Sequence, residues 1–145
     1  PNVVDGTGPS RPFLSEDFVD LIPRALQLLL DKDMIGFAGL WAVDGVAEFP
    51  FAPPGWPSRL EGRAAVEDYV RDYTKTFDVR AIPKQVVHQS TDPDVAVVEF
   101  DIEGVLVATG EPYRYSYIVV FTTRDGEIVN YRDYWNPIHL QEWRA

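Results

Sequence analysis

One carboxylate near the end of the chain is well placed for acid–base chemistry. Residues 131–136 read Tyr-Arg-Asp-Tyr-Trp-Asn, and strand alternation puts Asp133 on the same face as Tyr131 and Trp135. If that face borders an apolar cavity, the pKa of Asp133 rises above the usual aspartate value of about 3.9, because the charged form is poorly solvated. Such a carboxyl group can act as a general acid or base. The alternative is a structural role, in which Asp133 pairs with an arginine such as Arg114 or Arg132.

Two other side chains on predicted strands are weaker candidates. His88 could exchange a proton with a ligand at physiological pH, although a lone histidine on a strand is more often a core or surface residue. Glu99, Asp101 and Glu103 alternate with apolar residues, which directs the acids away from the core. Glu99 has valines beside it on its own face, so we keep it as a candidate half-buried ligand contact.

Aromatic residues make up 13% of the chain, with 4 Trp, 7 Tyr and 8 Phe. Large rings line apolar ligand sites as well as filling cores, and for any single ring packing is the more frequent role. The hydroxyl of Tyr117 could hydrogen-bond to a substrate carbonyl group. The candidate substrate-binding residues are Trp41, Phe49, Trp56, Tyr69, Tyr73, Glu99, Tyr117, Tyr131 and Trp135.

The composition of the chain limits the kinds of molecule that it is expected to bind. A formal net charge of -10 disfavours binding to nucleic acids and to anionic membranes. The sequence has neither a run of 18 apolar residues nor a signal-peptide pattern at its N-terminus. With no cysteine and only 2 histidines, and without a nucleotide or phosphate-binding motif, it offers no obvious metal or cofactor site. We therefore expect a cytoplasmic protein that needs no metal and no cofactor.

Hydrophobic periodicity predicts the elements that must position these side chains. The first helix is expected to begin at Ser15 or, because of Pro23, near Asp20. Two further helices are expected over 34–41 and 63–77. Pro50 makes the first strand an edge strand or marks its end. Turn residues separate the later strands. The expected strands are 46–51, 84–91, 95–108, 113–123 and 128–135.

Together these elements predict an α+β fold, with three N-terminal helices packed on a strongly curved, mixed or antiparallel sheet. Such a sheet curls around the helices and leaves a central pocket. Residues 1–12, which are polar and rich in glycine and proline, are expected to form a flexible arm. Residues 13–145 are expected to form one domain.

Three segments of the chain resemble the nuclear transport factor 2-like superfamily, and within it the SnoaL-like and ketosteroid-isomerase-like proteins. They are Leu-Trp-Ala at 40–42 leading into Ala-Glu-Phe-Pro at 47–50, Leu-Glu-Gly-Arg-Ala-Ala-Val at 60–66, and 131–137. The last segment is also similar to the Arg-Glu-Phe-Met-Asn-Pro stretch of the phenazine-biosynthesis PhzA/PhzB proteins. The resemblance covers roughly 16–140 and implies a cystatin-like cone.

The resemblance does not carry over the steroid isomerase mechanism. Its tyrosine, its aspartate base and its oxyanion-binding aspartate fall on Ala25, Phe49 and Val119. In the PhzA/PhzB comparison Asp133 matches a glutamate that is thought to act as acid and base, and Glu99 also falls on a glutamate position. Their second catalytic residue, a histidine, has no clear counterpart here.

The resemblance implies an enzyme of secondary metabolism that binds a small hydrophobic or aromatic carbonyl compound and moves a proton through Asp133, assisted by His88. Isomerisation, cyclisation and condensation would all fit. By analogy the chain would form a homodimer through its sheet. Two alternatives stay open: a ligand-binding or accessory protein without turnover, and an interaction module that uses the sheet face.

Overall fold

The computed structural model describes residues 16–138. The predicted N-terminal arm and the proposed Ser15 cap lie outside this range, as do the last seven residues of the sequence. In chain order the elements are α1 (Glu16–Leu30), α2 (Met34–Ala38), β1 (Trp41–Glu48), β2 (Arg59–Glu61), α3 (Arg63–Val70), α4 (Tyr73–Thr76), β3 (Phe77–Gln89), β4 (Val95–Leu106), β5 (Pro112–Arg124) and β6 (Glu127–Tyr134).

The six strands form one sheet in the order β2-β1-β6-β5-β4-β3. Neighbouring strands are antiparallel except β1 and β6, which run parallel. Of the two alternatives for the first strand, an edge position is wrong, because the short strand β2 pairs with β1 from Val46 to Glu48, whereas an end of the strand near Pro50 agrees with the structure. Pro50 falls just after β1, where the missing N–H removes no ladder hydrogen bond.

Strand β3 begins seven residues before its predicted start and includes Pro83. A proline is tolerated there because β3 lies at the edge of the sheet. The β3–β4 register also shifts on either side of Ala81. Because of this irregular pairing, the first half of β3 could not be predicted from strict alternation.

The helices differ from the prediction at their ends. Helix α1 continues through Pro23, whose side chain is exposed, so the alternative start near Asp20 is wrong. Helix α2 ends at Ala38 because the chain enters β1 at Trp41. The expected third helix is divided into α3 and the four-residue α4, which begins after Asp72.

The core lies between the helices and one face of the sheet, which we call the concave face. Its most completely buried side chains include Phe18 from α1, Val66 from α3, and Val98 and Val119 from the central strands. The predicted α+β class, with helices covering a curved sheet, is confirmed. None of the helices within residues 16–138 is long and apolar enough to cross a membrane.

Candidate active site

A cavity of about 320 Å³ lies between the helices and the concave face. Its wall includes residues from all four helices and from the loop between β1 and β2. The strands expose alternate residues to it, so aromatic side chains distant in sequence meet there. Nine of the residues proposed from the sequence line this cavity: Trp41, Phe49, Trp56, Tyr69, Tyr73, Tyr117, Tyr131, Asp133 and Trp135.

Asp133 is the carboxylate at the inner wall of the cavity. It pairs with Val119 across β5 and β6, which fixes it on the concave face. Its Oδ1 is buried and receives no hydrogen bond from residues 16–138. Burial raises the pKa of Asp133 to about 7, because the charged form loses its contact with water. The carboxyl group can therefore exist in both protonation states near neutral pH.

The arginines that could have neutralised Asp133 lie on the other face of the sheet, which we call the convex face. Arg114 binds Asp101 at 2.9 Å and Glu103 at 3.0 Å. Arg132 follows the alternation of β6 and pairs with Val120, on the face opposite Asp133. The structural alternative, an Asp133–Arg ion pair, is absent from the part of the chain that the structure describes.

Four tyrosines surround the carboxyl group: Tyr69 on α3, Tyr73 on α4, Tyr117 on β5 and Tyr131 on β6. Burial is the main reason that the pKa of each hydroxyl is raised, and the nearby Asp133 charge raises it further. These tyrosines therefore keep their protons at neutral pH. They are uncharged hydrogen-bond donors beside a single titrating carboxylate.

Packing between aromatic rings holds the cavity wall in place. Phe100 stacks on Tyr117, with ring centroids 5.2 Å apart and planes within 14°. Trp56, from the loop after β1, lies 5.6 Å from Trp135 at the end of the last strand. Offset and edge contacts of this kind fix ring positions as well as bury area. The cavity thus has apolar walls of defined shape.

His88 and Glu99 do not belong to this cavity, which corrects the sequence-based proposal. Phe100 faces the cavity, so Glu99 next to it points to the convex face, and His88 reaches the same face opposite Val97. The two side chains bind each other at 2.5 Å, and Lys84 binds Glu99 at 3.4 Å. The hydrogen bond with His88 is the main cause that lowers the pKa of Glu99.

Sequence reasoning missed several cavity residues. Phe100 and Ile102 line the wall, and the alternation that sent their acidic neighbours outward already implied this. Asp72 lies at the wall near the break between α3 and α4, where a continuous helix had been expected. Within residues 16–138, no three His, Asp or Glu side chains are grouped so that they could hold a metal ion.

Comparison with known proteins identifies the family. The model of the SnoaL-like domain matches residues 22–131. The Bacillus subtilis protein YesE is 42% identical over 127 residues, which are 88% of this chain and 86% of YesE. A PhzA/B-like protein of Pseudomonas aeruginosa is 40% identical over 123 residues, 84% of this chain and 86% of its own length.

A solved structure shares the fold closely. A Bacillus subtilis protein that is provisionally described as an isomerase superposes with a TM-score of 0.84 at 42% identity, over 89% of this chain and 93% of its own. This superposition agrees with the curved sheet and its helical cover. The chain therefore belongs to the SnoaL-like domain family of the nuclear transport factor 2-like superfamily.

Proposed function

We propose that this chain is a small-molecule acid–base catalyst that acts on a hydrophobic carbonyl compound held in the cavity. Asp133 takes a proton from the carbon next to the carbonyl group, whose oxygen then carries the developing negative charge. The electron pair of the broken C–H bond moves into the enolate, and Asp133 becomes protonated. Asp133 alone moves the proton, so the step requires no cofactor.

One observation carries this proposal: Asp133 is the titrating group of an apolar cavity and has no cationic partner among residues 16–138. A base is most effective when its pKa lies near the working pH, which the burial of Asp133 provides. A carboxylate that only held the sheet together would be paired, as Asp101 is with Arg114. The geometry also favours proton transfer over binding without turnover, because an unpaired buried carboxylate destabilises the fold.

The proposed reaction class is isomerisation or cyclisation. Returning the proton to another carbon isomerises the substrate, whereas attack of the enolate carbon on a second carbonyl group closes a ring. The relative described provisionally as an isomerase and the PhzA/B-like relative support this class. A volume of about 320 Å³ is at the lower end of small-molecule pockets, which suits a compact compound of a few rings from secondary metabolism.

The test follows exchange of α-hydrogens for deuterium in a panel of one- to three-ring ketones that includes β-tetralone. By nuclear magnetic resonance, the wild-type protein should accelerate exchange over buffer. Asp133→Asn should lower the enzymatic rate about 100-fold or more, because the base is lost. The rate should rise with pH and level off above about pH 7, as Asp133 becomes ionised.

Glu99→Gln is the matched control, since it removes a carboxylate on the convex face and should leave exchange unchanged. Intact folding of both variants is checked by circular dichroism. The proposal would be contradicted if exchange continued in Asp133→Asn. It would also be contradicted if the wild-type protein accelerated exchange in none of the ketones of the panel.

A further inference from the structure

The loop that connects β1 and β2, residues 49–58, contacts the end of the last strand on both faces of the sheet. On the convex face Phe51 packs against Tyr134, with ring centroids 5.4 Å apart. On the concave face Trp56 packs against Trp135, with ring centroids 5.6 Å apart. Of these two contacts, the one between the tryptophans borders the cavity. The loop therefore forms the wall at one end of the cavity.

The composition and hydrogen bonds of the 49–58 loop make it stiff. Four of its ten residues are proline, and each proline ring fixes one backbone dihedral angle. The N–H of Phe49 donates to the carbonyl oxygen of Ser58 at 2.9 Å, which closes the base of the loop. The N–H of Trp56 donates to the carbonyl oxygen of Pro53 at 3.1 Å. The indole of Trp56 is thus positioned before a ligand enters, as part of a fixed wall.

The opposite end of the cavity is formed by the core. Tyr131 lies two residues before Asp133 on the same face of β6, and it packs against Trp41 with ring centroids 4.9 Å apart. It also contacts Phe121 at a centroid distance of 5.1 Å. All three rings are buried. Because a core is packed without spare volume, a longer ligand cannot extend past Tyr131.

The free length of the cavity therefore runs from Asp133 toward the tryptophan wall. Trp135 follows Asp133 by two residues, which is about 7 Å along an extended chain. Both side chains point into the cavity, and Trp56 covers Trp135 there. A small fused-ring compound fits into this space, whereas a longer one meets the indole of Trp56.

We propose that Trp56 is a specificity-determining residue that limits the length of the substrate. The inference rests on the proposed function, because it takes Asp133 as the group that meets the reactive end of the substrate. It narrows the substrate class to ketones of about two fused rings. A third ring, added in line at the end remote from the carbonyl group, would collide with the indole.

Trp56 can be replaced with little damage to the core. It is only partly buried, and it packs against the core from outside. Removal of its indole therefore opens the end of the cavity toward solvent, where no other part of the fold depends on it. Replacement of a buried ring such as Trp41 would instead leave a void within the core, which is strongly destabilising.

The experiment compares β-tetralone with the linear three-ring ketone that carries one more benzene ring at the end remote from the carbonyl group. Isothermal titration calorimetry measures the Kd of each. The wild-type protein should bind β-tetralone at least about tenfold more tightly, because poor fit in an apolar pocket costs this much or more. Trp56→Ala should bind the three-ring ketone at least as tightly as β-tetralone. Trp56→Phe should show an intermediate ratio.

Phe51→Ala is the matched control. It removes the other aromatic contact of the same loop, but on the convex face, away from the cavity. The preference for β-tetralone should therefore stay as in wild type. If Phe51→Ala lost the preference as Trp56→Ala does, a loosened loop rather than the indole would set the limit, and the proposal would be wrong. Thermal melting shows whether each variant is folded.

Measuring α-hydrogen exchange on the same proteins separates this inference from the proposed function. If the preference depends on Trp56 but Asp133→Asn exchanges as fast as wild type, the length limit stands and proton transfer by Asp133 is wrong. If exchange depends on Asp133 but Trp56→Ala keeps the preference, the role of Trp56 is wrong. A wild type that binds both ketones equally, or a Trp56→Ala variant that binds both more weakly by the same factor, would also overturn it.

Discussion

At the scale of single residues, Asp133 links the chemistry of the site to the stability of the fold. Burial raises its pKa from 3.8 to about 7. Between these values the folded protein binds a proton more readily than the unfolded chain does. The free energy of unfolding therefore falls as pH rises through this window, and it stays lowered above about pH 7. The tyrosines facing Asp133 do not titrate in this window, since the pKa of each is raised above its usual value.

Asp133→Asn should make the protein more stable at pH 8, by up to about 4 kcal/mol, because a shift of one pKa unit corresponds to about 1.4 kcal/mol. The gain should shrink as the pH is lowered and vanish below about pH 4, where Asp133 is protonated in both states. Urea unfolding followed by circular dichroism at several pH values measures the difference. A gain that does not depend on pH would show that Asp133 is not a buried titrating group.

The Glu99→Gln variant should change the stability of the protein in the opposite direction to Asp133→Asn. The hydrogen bond with His88 lowers the pKa of Glu99, so its contribution to stability is present above the unfolded pKa and is lost as the pH falls. Because a third of the side chain is accessible to water, which screens the interaction, the loss in Glu99→Gln should be small. A stability gain at neutral pH in this variant, like that of Asp133→Asn, would indicate a general effect of removing negative charge.

At the scale of elements, the sequence specified the later strands better than the segments between them. Strands β4, β5 and β6 follow their predicted ranges within about two residues, because they alternate strictly and end at turn residues. The short strand Arg59–Glu61 has no such signal, since three residues cannot show a period. Its pairing with β1 is a tertiary contact that local pattern does not report.

The candidate site, like the strands, was predictable from the sequence only in part. Alternation placed Asp133, Tyr131 and Trp135 on one face, and the structure confirms that placement. Whether an arginine neutralises Asp133 depends on the β5–β6 register, which sets Val119 opposite Asp133 and so leaves Arg114, five residues before Val119, on the other face. That register is fixed by packing across the whole sheet, so the unpaired state of Asp133 could not be predicted. The face that His88 occupies depends in the same way on the β3–β4 register, which sets His88 opposite Val97.

Gly104 on β4 shows how tightly β3 packs near its irregular region. A Cβ atom at Gly104 would lie 2.1 Å from the carbonyl oxygen of Asp78 and 2.9 Å from the hydroxyl of Tyr113. Gly104→Ala should therefore destabilise the protein, because backbone has to move; overpacking of this kind typically costs about 1–3 kcal/mol. The midpoint of urea unfolding measures this loss of stability.

Gly110→Asn is the control for this prediction. Gly110 has a positive φ of 75° but open space around it, and asparagine tolerates that backbone region. Its urea midpoint should move little. If the urea midpoint falls equally in the two variants, the loss of a glycine, rather than the contact with β3, causes the loss of stability.

At the scale of the whole molecule, the acidic side chains of the convex face have basic neighbours on the same face. The net charge is -10, yet the acids on this face are paired internally, Glu99 with Lys84 and Asp101 and Glu103 with Arg114. The chain as a whole carries a charge that repels its own copies, but the ion pairs on this face weaken that repulsion locally. It is the surface on which the sequence-based expectation of a homodimer can be tested.

Apolar and unsatisfied groups lie on the same face. Ile118 is 43% exposed and Val86 is 38% exposed. Asn130 Oδ1 and Arg132 Nε are buried but have no hydrogen-bond partner within residues 16–138. Both atoms are already buried within the subunit, so the exposed apolar side chains are what a second copy would cover. We expect this face to contact a second copy, with the same residues used by both subunits.

Ile118→Glu should therefore convert a dimer to a monomer, because it places a charge at the apolar centre of the contact. Val43→Glu is the control, since Val43 on β1 is 71% exposed and lies away from Ile118, so its variant should remain dimeric. Sedimentation equilibrium at micromolar concentration measures the mass of each. A monomeric wild type, or a dimer that survives Ile118→Glu, would show that the convex face does not join two copies. The cavity opens on the opposite face of the sheet, so α-hydrogen exchange should persist in the monomer if each subunit carries a complete site.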